Sequence, residues 1–368
     1  MISIHFRDKI VKSIHFHETV TISGEKKLSY LSTGSEKISE IKHNRVYENN
    51  LSCTMLTECL RTFVYYVKAR SNVYIFAFAT LISFLLGSHG HALNFSIAIR
   101  VVFSSYIMAL ATYIYNDIAD IKVDKINKTN RPSVAGKATA KQLMMIVLIL
   151  NGIALLLAFS IGLYVLYISV LFITLGFAYS HPRSNLKDKF PLKTVVTAAG
   201  AALLSLLGGT AAFMTATTSS YNGSNFLSSY CLPVGYAALF FFSFFFILGP
   251  LGDICDLKGD RAVGRRTFPI VLGIRSTIVC MLTIPLTIIL MVGLLVYHFY
   301  HGNPTSVISL SGVYFIVGTC IATLVFTLRI SKKANGNDVS AIKSMRPKMR
   351  LLHIMLQISL LLTFTEIS

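Results

Sequence analysis

Six of the seven acidic residues between Val73 and Ile330 fall in two short stretches of an otherwise very apolar region. The first runs Asn116-Asp117-Ile118-Ala119-Asp120-Ile121-Lys122-Val123-Asp124. The second runs Asp253-Ile254-Cys255-Asp256-Leu257-Lys258-Gly259-Asp260, and Asp188 is the seventh acid. In both stretches three Asp recur at i, i+3 and i+7, which on a helix puts them on one face. Asn116 adds an amide oxygen beside the first set, and Gly259 is expected to end the second helix before Asp260. Three carboxylates on one face repel one another, and at a membrane boundary the cost rises. A hard divalent cation removes it, and an oxygen-only donor set without His or Cys favours Mg²⁺ over Zn²⁺. Mg²⁺ takes few protein carboxylates and completes its shell with water and phosphate oxygens. Two facing clusters of this kind would grip a diphosphate. Asn116, Asp117, Asp120 and Asp124 are the candidate ligands of one metal; Asp253, Asp256 and Asp260 are those of the other.

Such carboxylates have to be carried by membrane helices. Of the 368 residues 54% are hydrophobic and 14% charged, well below the roughly 25% charged residues of a soluble domain. A span needs about 20 mainly apolar residues, and runs suited to this lie at 73–90, 97–115, 141–159, 162–180, 194–215, 232–251, 274–297, 307–328 and 350–365. Residues 55–70 alternate apolar and charged positions at helical spacing, which suits an amphipathic helix on the membrane surface. The expected fold is an all-α integral membrane protein of about nine transmembrane helices.

Loop charge gives these helices a direction. Segments 116–141, 181–193, 252–275 and 329–350 carry six, four, five and seven Lys or Arg, whereas the alternate loops carry none. The positive-inside rule places the N-terminus and the four basic loops in the cytoplasm. The net charge of +18 is then topological, and nucleic acid is not needed to explain it. Four spans separate the acidic stretches, so both end on the same cytoplasmic side and can meet.

Residues 1–52 are polar, with eight Lys or Arg and six acids before Leu51. They lack the apolar run of a secretory signal and are too acidic for a typical transit peptide, so a flexible cytoplasmic tail is expected, followed by a membrane domain over 53–368. The six Cys are scattered and predict neither a disulfide framework nor a metal site. No P-loop, G-x-S-x-G or H-E-x-x-H motif occurs. Basic residues beside the acids (Arg131, Lys187, Lys258, Arg261, Arg265 and Arg266) could contact phosphate, a task to which the Arg fork is suited.

Taken together, these motifs resemble the UbiA-type superfamily of intramembrane prenyltransferases. The likeness rests on Asn116-Asp117-x-x-Asp120-x-x-x-Asp124, Asn127 through Arg131-Pro132, and Gly136. It continues in Tyr179-Ser180, Leu186-Lys187, and Asp253-x-x-Asp256-x-x-Gly259-Asp260-Arg261-x-x-Gly264-x-x-Thr267-x-Pro269. It implies a helical bundle around a central cavity open to lipid, in which Mg²⁺ ionises an allylic isoprenoid diphosphate and the cation passes to a lipophilic acceptor. Asp117, Asp120, Asp253 and Asp256 would be catalytic, and Asn116, Arg131, Lys187, Arg261 and Tyr179 would bind the diphosphate. Phe240-Phe241-Phe242-Ser243-Phe244-Phe245-Phe246 could line the prenyl channel, with two of its rings facing the cavity. The chain departs from the family pattern at Gly252, Leu248 and Gly249, where a Lys and an Arg-Glu pair are common, at Thr194 in place of an Asn, and at Arg70-Ser71 in place of Arg-Pro. These departures leave the acceptor open. A terpene cyclase using the same metals without an acceptor is the second reading. A cation-coupled transporter is a third, disfavoured because transport sites usually lie near the bilayer midplane.

Overall fold

The computed structural model describes residues 57, 60–88, 93–127, 131, 133, 134, 136, 138–216, 231–302, 308–335 and 339–364. The expected tail, residues 1–52, lies outside them. Among the described residues every regular element is a helix. The order is α1 (Leu60–Ala69), a 3₁₀ turn at Ser71–Val73, α2 (Tyr74–Gly87), α3 (Phe95–Ala119), the short α4 (Ile121–Ile126), α5 (Ala140–Phe159) and α6 (Leu163–Ser180). There follow α7 (Leu192–Ala216), α8 (Leu232–Ala262), the single turn α9 (Phe268–Val271), α10 (Gly273–Gly302), α11 (Leu310–Asn335) and α12 (Val339–Thr363).

Each of the nine apolar runs falls on a helix, but fewer than nine are long and apolar enough to cross a membrane. Among the described residues seven qualify, or eight if the pair Leu60–Ala69 and Ser71–Gly87, bent by 70°, counts as one span. The chain is therefore a multi-pass membrane protein with a less uniform set of spans than expected. The first apolar run is short and continues from a sharply angled α1. The last shares its helix with Lys343, Arg346, Lys348 and Arg350, which spoil its N-terminal half.

Local signals explain several helix starts. Asn94 caps α3 by accepting a hydrogen bond from the Ile97 amide at 3.2 Å. Thr139 and Gln142 form a reciprocal capping box at α5. Outer faces of α3, α5, α6, α10 and α11 expose large apolar side chains such as Phe95, Leu156, Tyr164, Leu290 and Tyr314. Such faces suit a lipid surround, where water does not penalise them.

Inside, two hydrophobic clusters meet along α8. Successive helical residues point about 100° apart, so residues four apart share a face. Phe240 and Phe244 accordingly belong to a cluster shared with α10, α11 and α12, and Phe241 and Phe245 to one shared with α2, α3, α5, α6 and α7, although Phe241 also stacks on His353 of α12 at 4.6 Å. The run of phenylalanines is thus a seam joining two halves of the bundle. Helices α2 and α7 approach closely enough that a Cβ on Gly208 would lie 2.0 Å from the Thr80 carbonyl oxygen. There the Thr80 hydroxyl donates to the Leu204 carbonyl at 2.8 Å.

Candidate active site

Both acidic motifs open on a single cavity of about 520 Å³. They reach it by different local routes. Helix α3 breaks at Asp120, whose φ of −104° and ψ of 9° leave the helical range, and α4 resumes one residue later. Asp120 and Asp124 face the cavity, whereas Asp117 is fully buried behind its wall. There Arg70 Nε donates to one Asp117 oxygen at 3.0 Å, and Arg70 and Arg131 both pair with the other. The single-face expectation for the first motif therefore holds for two of its three acids. In contrast, α8 continues through Gly259 to Ala262, so Asp253, Asp256 and Asp260 lie on one unbroken helix and all line the cavity. Gly259 does not end the helix. Instead it admits a neighbour: a Cβ there would fall 2.4 to 2.6 Å from the Asn127 side chain. The Asn127 amide oxygen accepts from the Gly259 N–H at 2.9 Å, which ties the first motif to the second.

The carboxylates sit in a network of cations. Lys187 Nζ lies 2.7 Å from Asp120, and Lys193 Nζ lies 2.6 Å from Asp253 and 3.2 Å from Asp260. Arg131 pairs with Asp124 as well as Asp117. Arg265 joins three segments: it pairs with Asp120, with Asp188 at 2.6 Å and with Asp260 at 3.2 Å. Gly264, at φ +73°, makes this reach possible, a left-handed conformation that glycine adopts freely. The chain then turns back so that the Arg265 amide donates to the Asp260 carbonyl at 2.9 Å, and the Arg266 amide donates to that of Asp188 at 3.1 Å. Phe190 and Phe268, in edge-to-face contact at 4.9 Å, hold the two loops together.

Burial and pairing compete at each group outside the spans. Burial disfavours the Asp120 carboxylate, but Arg265 and Lys187 outweigh it and hold its pKa below the ordinary value. At Asp124 burial wins: its pKa is pushed up to about 6 despite Arg131, with Asp117 and Asp120 raising it further. Burial lowers Lys187 although Asp120 favours its charge. It opposes ionisation of Arg265 too, but Asp120 more than compensates and the pKa rises.

Other expected residues are placed unevenly. Asn116, Tyr179 and Arg131 line the cavity, and the Asn116 amide oxygen accepts from the Ser180 hydroxyl at 2.9 Å. Lys187 stays behind the lining and acts on it through Asp120. Arg261 is exposed and off the lining, because the helical turn at 260–262 points it outward; Arg265 takes the inward place. Of the phenylalanine run only Phe245 reaches the cavity, not two rings, since packing in the seam claims the others. Sequence reasoning also passed over Arg70, Lys193, Lys343, Arg346 and Arg350, all of them on the lining. For Lys193 and the three cations of α12 the loop charge count absorbed the signal, since a cytoplasmic loop carries Lys and Arg in any case.

The residues present fit a hard divalent cation. Asn116, Asp120, Asp124, Asp253, Asp256 and Asp260 offer oxygen donors to one cavity, and Asp253 Oδ2 is buried with no hydrogen-bond partner. Seven acids (Asp117, Asp120, Asp124, Asp188, Asp253, Asp256 and Asp260) meet five cations (Arg70, Arg131, Lys187, Lys193 and Arg265), so the cluster has two negative charges in excess. Among the described residues no three His, Cys, Asp or Glu side chains are grouped so that they could hold a metal ion by themselves; Mg²⁺ takes much of its shell from water and ligand phosphates. Away from the acids the lining turns apolar, with Ile75, Phe76, Ala109, Phe172, Val196 and Phe245.

Comparison with known proteins identifies the family and the fold. The model of the UbiA prenyltransferase family matches residues 76–354. A digeranylgeranylglyceryl phosphate synthase of Sulfurisphaera tokodaii is 26% identical over 258 residues, covering 70% of this chain and 84% of that protein. One from Sulfolobus acidocaldarius is 28% identical over 175 residues, 46% of this chain and 56% of its own. A solved structure of a membrane digeranylgeranylglyceryl phosphate synthase superposes with a TM-score of 0.61 at 18% identity, covering 84% of this chain and all of the other. A UbiA homologue from Archaeoglobus fulgidus bound to GPP and Mg²⁺ gives 0.55 at 16% identity, covering 80% and 99%.

Proposed function

The chain belongs to the UbiA prenyltransferase family, and on that premise we propose that it transfers a prenyl group from an allylic isoprenoid diphosphate to a glyceryl phosphate ether in the membrane. The observation that carries this reading is the shared cavity, with both acidic motifs at one end and apolar walls beyond. The curated relatives, synthases of digeranylgeranylglyceryl phosphate, favour a C20 donor and an acceptor bearing one C20 ether. Loop charge puts the motifs and the N-terminus on the cytoplasmic face.

Asp253, Asp256 and Asp260 would hold one Mg²⁺, and Asp120, Asp124 and Asn116 would hold the second. When bound, Mg²⁺ supplies positive charge that stabilises the departing diphosphate. Asp117 serves differently: it fixes Arg70 and Arg131, so that Arg131 meets the diphosphate from a set position. Tyr179 lines the cavity within electrostatic reach of Lys193, Asp253 and Asp120. Phe76, Phe172 and Phe245 keep water from the prenyl carbon once its C–O bond has broken, and the electron pair leaves with the diphosphate. Their ring faces favour the positive charge on that carbon. The acceptor hydroxyl then forms the new C–O bond and gives up its proton to the released diphosphate.

The test uses the purified full chain in lipid nanodiscs with labelled C10, C15 and C20 diphosphates, Mg²⁺, and a mono-prenyl glyceryl ether phosphate. An ether product whose formation requires both substrates and Mg²⁺ is expected. A cyclic hydrocarbon formed without acceptor would identify a cyclase instead. No diphosphate release from any donor would overturn both enzymatic readings.

A further inference from the structure

The cavity has a third charged wall, outside both acidic motifs. Lys343, Arg346 and Arg350 of α12 line it, spaced i, i+3 and i+7. Helical geometry places all three on one side of α12. Lys348, on the same helix, falls off that side and is exposed away from the lining. Ile342, Met345 and Met349 are buried against the bundle, which fixes the rotation of α12; Arg346 and Arg350 are partly buried at the lining, and Lys343 reaches it while remaining exposed. None of the three forms an ion pair with a described carboxylate.

Arg346 is seated in a specific place. A Cβ on Gly252 would lie 3.2 Å from Arg346 Nη2, so the absent side chain at 252 leaves the guanidinium room against α8. Arg350 is partly buried, within electrostatic reach of Arg346, Tyr74 and Tyr113. Two guanidinium groups and an ammonium converging on a cavity wall repel one another unless an anion lies between them.

We infer that Lys343, Arg346 and Arg350 form a binding site for the phosphate of the acceptor, separate from the diphosphate site. The inference rests on the proposed transfer to a glyceryl phosphate ether and assigns the residues that select it. Charge distribution distinguishes the two anions. Around the motifs the acids outnumber the cations paired with them by seven to five, so an anion there binds through metal. The α12 wall carries three positive charges and no paired acid, so an anion there binds directly. A phosphate monoester, with close to two negative charges and three oxygens for Arg forks, matches it. The departure of this chain at Gly252 then acquires a use: it leaves room on α8 for the Arg346 guanidinium.

Binding is measured without turnover, using the full chain in nanodiscs, a mono-prenyl glyceryl ether phosphate, and the same ether with its phosphate removed. Wild type is expected to bind the phosphate more than tenfold tighter than the alcohol. Arg346→Gln and Arg350→Gln should each cut that preference roughly tenfold, and Lys343→Gln less. Affinity for a C20 diphosphate with Mg²⁺ should stay within about twofold in all three, and Arg346→Lys should recover part of the loss. Equal binding of phosphate and alcohol by wild type, or a preference that survives both Arg variants, would overturn the inference. Weakened diphosphate binding with an intact acceptor preference would also overturn it, by assigning these cations to the donor. Failure of prenyl transfer itself shows separately in the turnover assay and leaves this binding result to stand or fall by itself.

Discussion

Asp117, Asp120 and Asp124 are each paired with one or two cations, whereas Asp253 pairs with Lys193 alone, Asp260 with Lys193 and Arg265, and Asp256 forms no ion pair among the described residues. The spacing of the two motifs is the same; the backbone beneath them is not. A break at Asp120 splits the first motif, leaving Asp117 behind the wall and turning Asp120 and Asp124 into the cavity. The second lies on an uninterrupted helix and presents all three acids at once, one of their oxygens buried without a partner. The first motif organises charge, and the second keeps carboxylate capacity free.

This contrast is most exposed to substitution at Asp256. Asp256→Ala should lower kcat by about 10²- to 10³-fold through lost stabilisation of the departing group, while its melting temperature hardly moves, since no buried cation loses a partner. Near-normal turnover would break the assignment of free capacity to the second motif. Asp117→Ala should show the reverse emphasis. Removing it leaves Arg70 and Arg131 without their shared partner, at a cost of about 3 kcal/mol of stability, visible in thermal unfolding in detergent. As a control, Arg261→Gln, at an exposed site, should stay within about 0.5 kcal/mol.

The junction between the motifs provides a smaller effect. A methyl group at 259 would overlap the Asn127 side chain, so Gly259→Ala should cost about 2 kcal/mol by overpacking. It should also raise the Mg²⁺ concentration needed for half-maximal activity, by moving the motifs apart. An unchanged Mg²⁺ requirement would mean that the Asn127 contact is structural only.

Much of this was legible in the chain. Each apolar run fell on a helix, though the helices holding 232–251 and 350–365 extend eleven residues beyond the run at one end, and the acid spacing, with Asn116 beside it, found six of the residues that line the cavity around the motifs. What stayed hidden depended on tertiary rotation. No periodic pattern distinguishes Arg261, which points out, from Arg265, which turns back through the left-handed Gly264 to meet three acids. Nor could a count of loop charge separate Lys348 from Arg346, one facing out and the other inward. Gly259 reads as a helix stop in sequence because glycine weakens helices. In the fold, close approach of Asn127 is what requires it. Phe240 to Phe246 read as a channel wall, but their alternating faces were already claimed by two cores.

The gentlest test of the comparison is pH, since Asp120 and Asp124 respond in opposite senses. Pairing lowers the Asp120 pKa, so its contribution to stability is present above the ordinary carboxylate value and is lost only as pH falls through its lower folded value. Asp124 rises from 3.8 to about 6. Between those values the folded protein holds a proton that the unfolded chain releases, so Asp124 favours folding more at about pH 4 than at pH 7. A metal ligand must lose that proton. Below about pH 6 the Mg²⁺ concentration for half-maximal activity should therefore climb, by at most about tenfold per pH unit, while the fold remains intact. Asp124→Asn should require more Mg²⁺ at every pH and show a flatter dependence between about pH 5 and 7. If its profile is as steep as that of wild type, the proton in competition with Mg²⁺ sits elsewhere, and Asp124 belongs with Asp117 among the acids that only position cations.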